Sequence, residues 1–328
     1  MSAIVDTIIC YPFGAVLRFI YQFVGSYGLA IILFTILTKL VILPFTLKSK
    51  RGMADMQRLQ PKLKALEKQY ASTNRAKYQE EVAKLYQQEN ISPMGSCLPT
   101  FITLPIMIGL YYVIQRPLSF IMGLSGDEIA TLATRLGIAI PESAQQFQLM
   151  EIQIASEAFH HFPEVSSISD KLLPIDFNFL GLNLAQTPQW NAISWLWIIP
   201  VLSGVTALLM NKLMTKMTAK ISGGPPQGGN QMAIMNAMMP VMSIWFGFIL
   251  PAGVGLYWIT SNLVMGVQEV LIGEFLIREN DKKEAAAAKE REAREKVRKQ
   301  FERERALENQ RIQKEMQEKE KKKGGKGS

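Results

Sequence analysis

Four runs of this chain contain no Asp, Glu, Lys or Arg: Gly28–Thr38, Cys97–Ile114, Trp195–Met210 and Gln231–Val267. A helix needs about 17–25 mostly apolar residues to cross a bilayer. A soluble helix buries one apolar stripe, whereas these runs are apolar on every face. The chain is 48% hydrophobic and still 20% charged. The two figures are compatible because the charges lie between the runs and in the last fifty residues. The pattern predicts an all-α, polytopic membrane protein.

Five transmembrane helices are expected, at about 27–47, 97–115, 194–211, 234–250 and 255–277. The fourth and fifth are separated by Pro251-Ala-Gly-Val-Gly255, a strong turn signal. Orientation follows from charge bias. Segment 48–90 has ten basic and five acidic residues (+5), and 116–193 has three and eight (−5). Segment 212–233 carries Lys212, Lys216 and Lys220 with no acid, and 278–328 has eighteen basic and twelve acidic residues (+6). This alternation puts the N-terminus and an external loop 116–193 outside. The hairpin region 48–96, the loop 212–233 and the tail are placed in the cytosol. The overall charge of +8 thus answers first to topology rather than to nucleic acid. Several runs are short: sixteen residues, as in Trp195–Met210, rise about 24 Å against about 30 Å of hydrocarbon. Either the bilayer thins locally or neighbouring residues extend the helices.

The first 25 residues do not read as a signal peptide. Asp6 stands near the front, no basic n-region precedes the apolar residues, and Pro12, Arg18 and Gln22 interrupt them. An amphipathic helix at the outer interface is expected, with a tilted extra span as the alternative. The two cysteines, Cys10 and Cys97, fall on opposite membrane faces in this topology, which argues against a disulfide.

Between the first two spans, Met53, Met56, Leu59, Leu63 and Leu66 recur near helical spacing, as do Tyr78, Val82 and Leu85. Ser72-Thr73-Asn74 breaks them apart, with Asn74 a suitable N-cap. An antiparallel helical hairpin follows, of about Ser49–Tyr70 and Asn74–Gln88. The tail Asp281–Lys323 is dense in charge. It holds favourable i,i+4 pairs at Glu290–Arg294, Glu292–Lys296 and Glu295–Lys299 and too few apolar residues for a heptad seam. A solvated single helix is expected there. Met210, Met214, Met235 and Met239 lie on either side of the loop Ser222–Gly229. Methionine suits promiscuous surfaces, so these residues read either as an entry surface for varied apolar sequences or as core packing. No nucleophile–base pair, phosphate loop or zinc motif is present, and the adjacent His160 and His161 have no ligand cluster around them. No enzyme activity, cofactor or metal is expected.

Three blocks carry a resemblance: SYGLAIILFTILTKLVILPFTLKSKRGMADMQRLQPKLKALEKQY (26–70), SPMGSCLPTFITLPIMIGLYYVI (92–114) and MMPVMSIWFGFILPAGVGLYWITSNLVMGVQE (238–269). In that order they resemble the bacterial YidC family of membrane protein insertases, the type without a large external domain. The resemblance covers nearly all of 26–114 and 174–277, and it does not extend to 125–170 or the tail. It implies a five-helix core (26–277) around a polar groove that is open to the cytosol and to lipid. It further implies a place in the bacterial plasma membrane, with the amphipathic N-terminal helix (1–25) and the basic cytosolic tail (278–328) flanking the core. Client membrane proteins and the lipid bilayer would be its partners, and it would work alone or beside the Sec translocon, often with a translating ribosome. The net +6 of the tail suits ribosomal RNA or, alternatively, a lipid-touching tail that fixes topology. Insertion would need no cofactor or covalent chemistry.

The family usually has an arginine in the first span, where this chain has Lys39. The cation survives the exchange and the bidentate fork does not. A charge at helix centre costs about 2.5–3.5 kcal/mol on insertion scales, so something must offset it. A hydrated groove attracting a client's polar segment, snorkelling toward the cytosol and an ion pair with Glu269 are three ways to do so. Pro44 is expected to bend the same helix. Trp258 stands with Tyr257 in an outer aromatic belt, and by resemblance it lines the groove. Asn262 and Gln268 either join the groove or bond between helices. Two other functions stay open: a small-solute or ion transporter, disfavoured because the spans show no inverted repeat, and an assembly chaperone that does not insert.

Overall fold

A computed structural model describes residues 5–70, 74–89, 98–222 and 229–324. Cys97, the breaker Ser72-Thr73 and the centre of the Ser222–Gly229 loop lie outside the described residues. The chain divides into two compact units, Met1–Gly273 and Glu274–Ser328.

The first unit is built of helices. α1 runs Asp6–Val24, with a π-helical first turn. α2 is Tyr27–Tyr70, α3 Arg75–Gln88 and α4 Leu98–Gln115. Short helices follow: α5 Pro117–Phe120, α6 Gly126–Arg135, α7 Ala144–Leu149, α8 Glu151–His160 and α9 Phe162–Val165. A two-residue antiparallel ladder, β1 Asn178–Phe179 with β2 Leu182–Asn183, closes this region. α10 is Ile198–Ser222, α11 Gly229–Ile249, and α12, Ala252–Gly324, begins here.

Tyr27–Met56 and Trp195–Ile221 are long and apolar enough to cross a membrane, and shorter apolar helices occupy Pro105–Gln115 and Met238–Ile249. The chain is an all-α membrane protein. The short runs are extended by neighbouring residues: the 25 residues of α10 rise about 37 Å, more than the hydrocarbon thickness. The first span and the first hairpin helix are one element, since the 44 residues of α2 pass through both Pro44 and Pro61 without a break. Asn74 caps α3, its side chain accepting from Lys77 N at 3.0 Å. The hairpin is closed by a Lys62–Glu89 ion pair and by Lys77 over the Tyr70 ring.

α1 also has the length and composition of a span, yet its packing follows the cap end of the bundle. Cys10, Gly14, Leu17 and Tyr21, at helical spacing, form its buried face. Gly14 lies against the Phe120 carbonyl, so close that a Cβ would stand 1.9 Å from that oxygen. Ile9 packs on Gly109, only six residues before the end of α4, or about 9 Å along its axis. Arg18 donates to Met122 O and Tyr21 to Pro174 O. The opposite face shows Ile8, Phe19 and Phe23, the last 87% exposed.

Residues 116–197 cap one end of the helices. Tyr27 stacks edge-on to Phe177 (4.8 Å) at the start of α2, and Gln115 donates to Leu149 O (2.8 Å) at the end of α4. Ala252 N donates to Gln186 O and Gly253 N to Leu184 O, closing the start of α12. The cap has its own polar centre. Glu151, buried at 2% exposure, accepts from Arg116 Nε (2.9 Å), the Ser119 hydroxyl (2.8 Å) and Ser119 N (3.0 Å). A buried carboxylate needs such complete pairing to stay charged. Ile129, Leu132, Ile152, Ile154 and Val165 pack around it in the same core as α1, α2 and α4.

The second unit is helical through Gly324. Its surface carries the ion pairs Glu290–Arg294 (2.7 Å), Glu295–Lys299 (2.8 Å) and Arg298–Glu302 (3.4 Å). Among the described residues no ion pair joins Glu292 to Lys296. Val297 and Phe301 are exposed, as expected of a solvated helix without a seam.

Candidate functional site

Side-chain oxygens are costly inside a bilayer, so those buried on the long helices mark what the bundle is built to hold. Thr35, Ser203, Thr206, Ser243, Thr260, Ser261 and Glu269 are all buried. The threonines and Ser243 bond back to their own helices, as in Thr35 to Ile31 O (2.7 Å) and Thr260 to Leu256 O (2.8 Å). Such bonds remove the polar cost without joining neighbours.

Other polar contacts join α12 to its neighbours. Gln268 Nε2 donates to Lys39 O at 3.0 Å, linking α12 to the middle of α2. Asn262 Nδ2 donates to Thr206 Oγ1 at 3.2 Å, linking α12 to α10. Glu269 Oε2 meets Lys50 Nζ at 2.5 Å, with the carboxylate 4% and the lysine 17% exposed. The alternative of a Lys39–Glu269 pair therefore gives way to Lys50. Helical side chains lean toward the helix N-terminus, so Lys50, eleven residues after Lys39, reaches back along α2 to Glu269. Among the described residues Lys39 forms no ion pair. Its side chain is half-buried, and its backbone carbonyl receives Gln268 from α12.

Trp258 is apart from these groups, ten residues earlier on α12. It lies 6.0 Å from the Phe246 ring and helps line a cavity of about 170 Å³ with Met107, Ile108, Tyr111 and Leu250. That cavity is apolar, while a smaller recess places Trp258 beside the buried Ser203 of α10 and Ser243 of α11. Of the four residues expected to share a groove, the structure joins Lys39 and Gln268 directly and leaves Trp258 beside a separate apolar cavity. Asn262 lies between them on α12.

The methionines divide. Met210 is buried and its Sδ packs over Gly266, Met217 likewise covers Gly273, and Met214 is half-buried. Met239, by contrast, is exposed at 63%. The side chain of Met235 lies outside the described residues. Packing thus accounts for the α10 stripe, and a surface role stays open only for α11. Among the described residues no cluster of His, Cys, Asp and Glu is arranged to hold a metal ion.

The sequence pattern of the family described as "60Kd inner membrane protein" matches residues 19–283. The chain belongs to this family. Two relatives are similar along most of their own length. Membrane protein insertase MisCA of Bacillus subtilis is 28% identical over 290 residues, 87% of this chain and 85% of that protein. Membrane protein insertase YidC of Clostridium perfringens is 31% identical over 251 residues, 76% of this chain and 79% of that one. A crystal structure of an active YidC insertase, 20% identical, aligns over 80% of this chain and 45% of that longer one with a TM-score of 0.46. The family match spans both joined pairs, Gln268–Lys39 and Glu269–Lys50. It also spans 125–170, where the three sequence blocks had given no resemblance.

Proposed function

We propose that this protein is a membrane protein insertase that moves client transmembrane segments into the bilayer along the α2–α12 boundary. The main support is the family match over 19–283, together with relatives named as insertases that align over most of their length. Lys39 brings a positive charge to a membrane-length helix, at a residue whose backbone carbonyl receives the Gln268 amide. That charge attracts a client's polar, often acidic, segment while its apolar segment partitions into lipid. Burying each large apolar client side chain gains about 1.5–3 kcal/mol, so several such residues can drive the step without a nucleotide.

In this reading α2, α4, α10, α11 and the start of α12 are the five spans. α1 lies at the cap-side interface, a placement favoured by Gly14 against Phe120 and Ile9 on Gly109. The charge bias places the cap outside and the α2–α3 hairpin, the loop 212–233 and the tail in the cytosol. The protein is then a multi-pass component of the bacterial plasma membrane, with its N-terminus outside.

The test uses proteoliposomes and a freshly translated single-span client with a short acidic outer tail. Wild type and Lys39→Arg are expected to protect the tail from protease, and Lys39→Glu and Lys39→Ala to lose most of that protection. Each variant is checked for an unchanged melting profile. Equal protection in protein-free liposomes overturns the insertase reading for that client. Client adducts without protection would instead indicate an assembly chaperone. Equal protection by all four proteins would leave insertion standing and remove Lys39 from it.

A further inference from the structure

The cap carries a partly open cavity of about 750 Å³, separate from the α2–α12 boundary. Gln153, Ser156, Glu157 and His160 of α8 form one wall, and Asn183, Gln186 and Gln189 face them. Gln186 and Ser194, both in the lining, tie this cavity to the start of the bundle. Gln186 O accepts from Ala252 N at 2.8 Å, the first residue of α12, and Ser194 stands just before α10. α10 and α12 are the helices joined by Thr206 and Asn262.

The lining restricts what can bind. Its volume is that of a ligand site, about 300–1,000 Å³. Among the described residues that line it, none is Lys or Arg, so no cation awaits a phosphate or carboxylate. Its one ring is His160, edge-on to Phe159 at 5.5 Å. The rest is mostly amide and hydroxyl side chains, which offer donors and acceptors, beside the apolar Ile138 and Leu196. Polypeptide backbone alternates the same two groups, and Gln, Asn, Ser and Thr side chains carry them too. The single carboxylate, Glu157, disfavours acidic residues.

We propose that this cavity is a binding site for a neutral, hydroxyl- and amide-rich peptide segment, namely the polar tail of a client as it leaves the helix bundle on the cap side. The source of that peptide rests on the insertase reading; the chemistry of the site does not.

The full-length protein carries a photoreactive benzoylphenylalanine at Gln153 or Gln186, or at Thr131, which is exposed on α6 outside the cavity. In proteoliposomes it is given a single-span client with a Ser/Asn/Gly tail and, separately, a free twelve-residue peptide of that composition. Adducts to the tail from Gln153 and Gln186, with only background from Thr131, are expected. Ser156→Trp, which narrows the cavity beside α8, should weaken the Gln186 adduct, while an acidic peptide should label weakly in wild type. A protected tail with no adduct overturns the site and leaves insertion intact. Adducts to lipid alone, or equal labelling from Thr131, also overturn it. If the tail is not protected, insertion has failed, and the free peptide decides: its adduct supports the site and its absence ends the proposal.

Discussion

Removing either half of the Lys50–Glu269 pair leaves a different residue behind, and the two losses should differ. Lys50→Met strands a carboxylate that is 4% exposed. Breaking a buried pair in this way costs about 3–5 kcal/mol. Glu269→Gln leaves a lysine that is 17% exposed and can turn toward water, so about 1–2 kcal/mol is expected. Thermal unfolding of the detergent-solubilised protein should rank Lys50→Met as the less stable variant. The exchange Lys50→Glu with Glu269→Lys should recover part of the loss. Equal destabilisation by both single changes would show that the pair is not effectively buried. The sequence offered Lys39 as a partner for Glu269, and the structure gives Lys50. Lys50 was missed because the first span was ended at Leu47. The uninterrupted helix through Pro44 and Pro61 keeps Lys50 in phase with α12, and its side chain leans back to the carboxylate. Trp258 was assigned to the groove by resemblance. Its apolar cavity depends on Met107 and Tyr111 arriving from α4, which no local pattern in LYWITSN encodes.

Elements were legible where a period or a cap announced them. The uninterrupted apolar runs gave the long helices, and Asn74 marked the start of α3. The cap was not legible, because α5 to α9 are only four to ten residues long and their apolar residues meet through tertiary packing rather than along one stripe. Arg116 finds Glu151 across 35 positions, a distance over which no spacing rule operates. One local signal was present, the sequence Ser125-Gly-Asp-Glu128, a capping box. Ser125 Oγ accepts from Glu128 N (3.3 Å) and the Glu128 carboxylate from Ser125 N (2.7 Å). Those bonds, led by the Ser125 N–H and helped by the Ser169 hydroxyl, hold the Glu128 carboxyl down from 4.5 to about 2. A depressed folded value means the unfolded chain takes up the proton first. The cap of α6 therefore contributes fully above pH 4.5, and its contribution disappears as pH falls through about 2. Amide exchange in α6 should be faster in Glu128→Gln than in wild type at neutral pH, and the difference should vanish near pH 2. A pH-independent difference would mean that the carboxylate charge is irrelevant to the box.

Across the whole molecule, charge separates tasks that the apolar helices share. The cap segment 116–193 is acidic, with a net −5 counted from its residues, whereas the last 51 residues carry +6. The second unit is a charged helix with exposed Val297 and Phe301, so any partner of that surface would be recognised mainly by charge. A ribosome presents RNA phosphate over a wide surface, and binding to phosphate weakens steeply with salt. Screening shortens from about 10 Å at 0.1 M to about 3 Å at 1 M, so a surface tail is more sensitive to salt than the buried Lys50–Glu269 pair. Full-length protein in detergent should co-sediment with ribosomes at low salt and separate from them at high salt. A chain ending at Ile277 should sediment apart at both, while still protecting a client that is supplied after its release from the ribosome. Loss of both properties in the truncated chain would mean that the tail supports the fold of the bundle. Retention of salt-sensitive sedimentation would move the ribosome contact to the basic faces of α2 and α3, the other cationic surface that the charge bias places in the cytosol.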